Sequence, residues 1–219
     1  MSAQLKKQAL AAFKGIQRAF PEPRVELDYT TPLELLVATV LAAQCTDVKV
    51  NEVTATLFKK YRRPEDYLAV PVEELEEDIH PTGFFRQKAK NIRGAMQIMV
   101  DQHQGQVPDQ MEALTNLPGV GRKSANVILG NIFGVPGIVV DTHMTRVAQR
   151  LGLTQAKGAE AVERALGELL PPKNWTHFSQ IAVLHGRHIC KARKPLCDEC
   201  TIMDICPYFK EEIAPNLKN

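Results

Sequence analysis

Four of the five cysteines, Cys190, Cys197, Cys200 and Cys206, fall within 17 residues in the pattern C-x6-C-x2-C-x5-C. Thiols gathered this closely either pair as disulfides or, as thiolates, hold a metal. The sequence shows no signal peptide and no apolar stretch of membrane length. That predicts a cytosolic protein without a membrane span, a setting in which disulfides are rare. A metal site is therefore expected. Zinc modules more often use two Cys-x2-Cys knuckles separated by a longer insert. Here one short loop with a single central knuckle supplies all four ligands, which fits a [4Fe–4S] cluster better. Zinc and disulfides stay open as alternatives.

A second group is Leu117-Pro118-Gly119-Val120-Gly121-Arg122-Lys123. Two glycines bracket one apolar residue between two helical stretches. Glycine reaches backbone shapes closed to other residues and lets another chain come close. Such a hairpin is expected to aim its N–H groups outward, beside the N-terminus of the helix that starts near Arg122. Exposed amides at a positive helix end form an anion site suited to a phosphate, with no reading of bases. A plain helix–helix turn is the alternative. Arg187, Lys191, Arg193 and Lys194 crowd the start of the cysteine loop. They could grip phosphates or simply form a solvated face. The net charge of +2 does not by itself demand nucleic acid.

These residues must be positioned by helices, because the chain reads as helical nearly throughout. Leu5, Ala9, Phe13, Ile16 and Phe20 recur at steps of three and four, so they share one face. Residues 32–45 form an apolar run opening with Thr31 as N-cap and Pro32 at the first helical position. Asp47 is expected to cap the next helix, which turns Val50, Val53, Leu57 and Phe58 inward. Further helices are predicted at about 72–79, 84–103, 122–133, 143–151, 158–169 and 176–190. Only Gly137 to Val140 looks extended, too short for a sheet. The predicted class is all-α. With 219 residues the chain can bury one or two cores.

Three features in this order resemble the endonuclease III family, bacterial DNA glycosylases of the helix-hairpin-helix superfamily: the hairpin 117–123, Val140-Asp141-Thr142-His143, and the cysteine loop. The resemblance runs from about Leu5 to Tyr208. It implies two helical domains with a DNA cleft between them: a six-helix, barrel-like domain over about 25–135, and an iron–sulfur domain built from 1–24 plus 136–219. It also implies a catalytic pair, Lys123 and Asp141. Cutting an N-glycosidic bond builds positive charge at C1′ of the sugar. A carboxylate stabilises that charge, and an amine can attack C1′ to give a covalent imine. The imine acidifies the 2′ hydrogen and lets the 3′ phosphate leave by β-elimination. An amine attacks only when unprotonated, and the start of a helix or a buried cleft disfavours the protonated form.

The family also extrudes its target base and fills the gap. The matching stretch, Ala43-Gln44-Cys45-Thr46-Asp47, points to Gln44. A second wedge corresponds to Gly83-Phe84-Phe85, where Phe84 replaces the usual leucine and could instead be core. Cys45 stands where relatives often carry alanine, and Ser124 replaces the usual threonine. His143 either contacts a phosphate or packs locally. The expected DNA contacts are thus Gln44, Phe84, Gly119, Val120, Gly121, Arg122, His143, Lys191, Arg193 and Lys194. The expected partner is duplex DNA bearing a damaged pyrimidine or an abasic site, bound by a monomer in the nucleoid-containing cytoplasm. Two rivals remain. An adenine mismatch glycosylase shares the scaffold, but usually lacks the lysine and adds a further C-terminal domain. A non-catalytic hairpin module with a zinc loop would need neither Lys123 nor Asp141.

Overall fold

The computed structural model describes residues 2–217, and its regular structure among them is helical with no strand. The eleven α-helices are α1 (Ala3–Ala19), α2 (Pro32–Leu41), α3 (Asp47–Lys60), α4 (Pro64–Ala69), α5 (Val72–Ile79), α6 (Phe85–His103), α7 (Met111–Thr115), α8 (Arg122–Ile132), α9 (Thr142–Arg150), α10 (Ala159–Gly167) and α11 (Trp175–His188). They fall into two units: Val25–Val135, and the segments up to Arg24 and from Pro136 onward.

The Val25–Val135 unit is built on α2, whose middle is apolar on every side, so Leu35, Leu36, Val37 and Ala38 are wholly buried. Its start is fixed by a capping box: Thr31 accepts from the Glu34 amide and Glu34 accepts from the Thr31 amide. α6 runs along the unit with Ile92, Met96 and Met99 inward, against α4 and α5. Arg93 on α6 donates to the carbonyls of Tyr67 and Val70 at 2.8 and 2.6 Å, closing the open end of α4. Tyr61 and Tyr67 stack at 4.7 Å, and the Tyr61 hydroxyl donates to Asp78 at 2.7 Å. Burial, with that Asp78 bond, pushes the Tyr61 phenol up to about 12.

The second unit packs α1, α9 and α11 around Ile16, Met144, Val147, Phe178 and Ile181. Close approach decides two positions. A Cβ on Gly15 would come within 2.1 Å of Ile202, beyond the last helix, and one on Gly186 within 2.8 Å of the His143 Cβ. Thr201 seals the first contact by donating its hydroxyl to the Gly15 carbonyl at 2.8 Å.

Several local expectations shift. α2 stops at Leu41 rather than running to residue 45, because Gln44 takes a left-handed backbone at φ 54°. Thr46, not Asp47, caps α3 by accepting from the Lys49 amide. α4 and α7 were not expected; six and five residues are too short to show an amphipathic stripe, and packing makes them. Gly137 to Val140 is extended, yet its amides go to side chains of α11: Gly137 to Thr176 Oγ1 at 3.4 Å and Val139 to Ser179 Oγ at 2.9 Å. Those hydroxyls do what a neighbouring strand would have done.

Candidate active site and metal centre

The hairpin joins α7 to α8. Gly119 is left-handed at φ 82°, and a Cβ there would meet Asn91 at 3.0 Å, so both conformation and space require glycine. Gly121 caps α8 with open space where a Cβ would be. The amides do not all face outward as expected. The Val120 N–H turns in to the Leu117 carbonyl at 3.1 Å, and the Val120 side chain is core at 4% exposure. Val120 therefore anchors the turn from below. The first-turn amides of α8 have no acceptor within the helix. Arg122 and Lys123 are exposed on that same turn. Lys123 makes no hydrogen bond or ion pair among the described residues, so its amine is uncommitted, and it is exposed rather than buried.

Two loop tips of the same unit carry the expected wedges. Gln44 is exposed, at the left-handed turn after α2. Phe84 is 66% exposed at φ 49°, after Gly83 at φ 69°. An aromatic ring held in the open by a left-handed backbone is costly on two counts, and it is not core. Cys45 is half-buried beside the core, as a small hydrophobe would be.

In the second unit Asp141 is the N-cap of α9: its Oδ1 accepts from the Met144 amide at 2.8 Å. Oδ2 has no hydrogen-bond partner among the described residues. One oxygen is thus fixed while the other keeps its lone pairs. His143 is half-buried, its Nδ1 lies 3.2 Å from Arg146 Nη2, and its Cβ packs on Gly186. Local packing is the role this geometry supplies.

Cys190, Cys197, Cys200 and Cys206 are unpaired thiols lining one pocket together with Val147, Leu151, Ile189, Leu196 and Ile202. Burial pushes the Cys200 thiol up to about 11 and raises Cys206, and burial followed by Cys190 and Cys206 raises Cys197. Thiolates in such a lining need positive charge among them. Amide hydrogen bonds from Ile202 to Cys200, and from Phe209 and Tyr208 to Cys206, already favour the anionic form. Four thiols lining one pocket supply the donor set of a polynuclear cluster. The residues therefore fit a [4Fe–4S] group, which would be held by those four sulfurs.

Two arginines escaped the sequence reading. Arg150 donates to Cys190 Sγ at 3.3 Å, to the Lys191 carbonyl at 2.8 Å and to the Ala192 carbonyl at 3.1 Å, with its guanidinium 4.2 Å from the Tyr208 ring. Arg146 donates to the carbonyls of Cys190 at 3.0 Å and Gly186 at 2.7 Å. Their four-residue spacing on α9 was a signal, but arginines so placed usually mark a solvated face. Lys191, Arg193 and Lys194 are exposed on the loop these arginines hold, and Lys194 is left-handed at φ 51°. Arg187, at the end of α11, is half-buried.

Comparison with known proteins follows this geometry. Residues 37–172 match the HhH-GPD superfamily of base excision DNA repair proteins, and residues 190–206 match the iron-sulfur binding domain of endonuclease III. Endonuclease III of Synechocystis sp. (strain ATCC 27184 / PCC 6803 / Kazusa) is 48% identical over 206 residues, 94% of each chain. Among solved structures, a trapped endonuclease III–DNA covalent intermediate superposes with a TM-score of 0.90 at 43% identity, covering 96% of this chain and 98% of the other. A non-covalent endonuclease III–DNA complex gives 0.91 at 41% identity over the whole of both chains.

Proposed function

Because this chain belongs to the endonuclease III family, within the HhH-GPD superfamily of base excision DNA repair proteins, we propose that it is a bifunctional DNA glycosylase and abasic-site lyase. Its substrate is duplex DNA carrying an oxidised pyrimidine such as thymine glycol. The Lys123 amine attacks C1′ as the base leaves with its bonding electrons, and the Asp141 carboxylate stabilises the positive charge that builds on the sugar. The C1′–O4′ bond then breaks as the nitrogen gives up a proton and O4′ takes one up: the sugar ring opens with a hydroxyl at C4′, and an imine joins Nζ to C1′. Loss of the 2′ proton expels the 3′ phosphate. Hydrolysis of the imine returns the lysine.

The remaining residues bind and orient. First-turn amides of α8 with Arg122, and the loop residues Lys191, Arg193 and Lys194, take phosphates. Gln44 and Phe84 fill the stack vacated by the extruded base. Cys190, Cys197, Cys200 and Cys206 would hold a [4Fe–4S] cluster, which would supply the fold of the loop rather than a step of hydrolysis. No helix among the described residues is long and apolar enough to cross a membrane. The protein works as a monomer on chromosomal DNA, in the cytoplasm and on the nucleoid.

The observation that carries this reading is the exposed, uncommitted Lys123 amine beside the hairpin. A scaffold relative using only water would not need it, nor would a hairpin module that merely binds. Borohydride reduces an imine to a stable amine, so it should crosslink the protein to abasic-site DNA through Lys123. Lys123→Ala should abolish the crosslink and leave DNA binding measurable. A crosslink persisting in that variant would assign the nucleophile elsewhere.

A further inference from the structure

Lys88 is a buried cation. It is 3% exposed, in the first turn of α6, where the helix end is itself positive. Among the described residues no carboxylate lies within salt-bridge distance of it. Burial lowers its pKa. A core position of this kind is ordinarily apolar, because an unpaired buried charge opposes folding. What the ammonium does is specific. It donates to the Leu41 carbonyl at 2.8 Å and to the Thr82 carbonyl at 2.8 Å.

Both acceptors sit at the roots of the two wedge loops. Leu41 is the last residue of α2, three before Gln44, and Thr82 is two before Phe84. The Lys88 backbone amide also donates to the Phe84 carbonyl at 3.0 Å. So one residue grips the Phe84 turn on both sides and ties it to the root of the Gln44 turn. Each tip holds a left-handed non-glycine backbone, Gln44 at φ 54° and Phe84 at φ 49°, which persists only where the surroundings enforce it. The Thr82 hydroxyl is already spent on the Ile79 carbonyl at 2.8 Å, so it cannot substitute for the lysine.

We propose that Lys88 is a positioning residue that locks the Gln44 and Phe84 loops into one frame, so that both side chains enter the base stack together. This rests on the reading of Gln44 and Phe84 as stack-filling residues. Two wedges that moved separately would each have to be ordered during base extrusion, and that cost would fall on the excision step. A lysine reaches two carbonyls set apart from each other with a compact three-donor head, which no apolar residue can imitate.

The test uses the full-length holoenzyme and duplex DNA with one thymine glycol and a 2-aminopurine beside it. Lys88→Met keeps the volume and removes the donors. Single-turnover excision should fall about tenfold or more, the typical cost of a lost charged hydrogen bond. The 2-aminopurine fluorescence rise should weaken in parallel, while affinity for undamaged duplex stays within about twofold, since phosphate contacts are untouched. Lys88→Arg should recover part of the rate. In a Phe84→Ala background, Lys88→Met should cost little more, because the two act as a unit. A plain structural role predicts the opposite: affinity and excision fall together, and the two substitutions add. Either result overturns the proposal, as does wild-type excision by Lys88→Met. If that variant does not fold, the same ratios are read on Lys88→Gln, and unchanged ratios there overturn it equally. If the wild-type enzyme itself neither excises nor brightens 2-aminopurine, the proposed function fails instead.

Discussion

Asp141 holds a helix, and the role proposed for it in the chemistry would use the same side chain. Its Oδ1 caps α9 through the Met144 amide, and its Oδ2 is unspent. Cap and charge can be separated by substitution. Asp141→Asn keeps an oxygen for the Met144 amide and removes the charge. Excision under single-turnover conditions should then fall about 10²-fold or more, the usual cost of deleting one electrostatic stabiliser. Thermal stability should stay near wild type. Asp141→Ala should add a stability loss of about 1 kcal/mol from the missing cap. If the asparagine variant excises at the wild-type rate, Asp141 is a cap alone. Lys123 offers the complementary case, an exposed amine with no hydrogen-bond partner among the described residues.

At the scale of the element, α9 links that aspartate to the metal loop. It begins at the Asp141 cap, and one and two turns further on Arg146 and Arg150 reach the loop that starts at Cys190. Guanidinium bonds to the loop's carbonyls help set its path. Arg150→Met keeps an apolar side chain of similar length and deletes the bonds to Cys190 Sγ, Lys191 and Ala192 together with the guanidinium's place over Tyr208. Helix content should be unchanged by circular dichroism. The visible absorbance of the cluster should bleach faster under a chelator, and duplex affinity should drop because Lys191 and Arg193 lose their fixed presentation. Wild-type bleaching kinetics would reduce Arg150 to a surface group.

At the scale of the whole molecule, each unit has a core of its own, one centred on α2 and α6, the other on α9 and α11. The chain starts in one unit, builds the other as a continuous segment, and returns. Cys197→Ala should therefore act regionally. Iron is lost, and the thiols that burial already disfavours as anions have no cation to stabilise them. Hydrogen exchange should accelerate in α1, α9, α10 and α11 while α2 to α8 keep their protection. Simultaneous loss of protection along the entire chain would mean that the two cores fold as one. Duplex binding should weaken in the same variant, since the exposed loop lysines and Arg193 depend on the loop's shape.

Much of this was legible in residue order. Thr31-Pro32 announces α2, and Gly119 with Gly121 announces a tight hairpin, because caps and positive φ angles are local properties read within three or four residues. The spacing of the four cysteines favours a [4Fe–4S] cluster while leaving zinc and disulfides open. Tertiary structure decided what depends on distant partners. It turned the Val120 amide inward, exposed the Phe84 ring, ended α2 early at a left-handed Gln44, and gave the amides of Gly137 and Val139 to α11 hydroxyls. It also gave Arg146, Arg150 and Lys88 their tasks. In sequence these are three cations on helices, indistinguishable from solvated ones. Only the carbonyls brought to them across 44, 41 and 47 residues show what they hold.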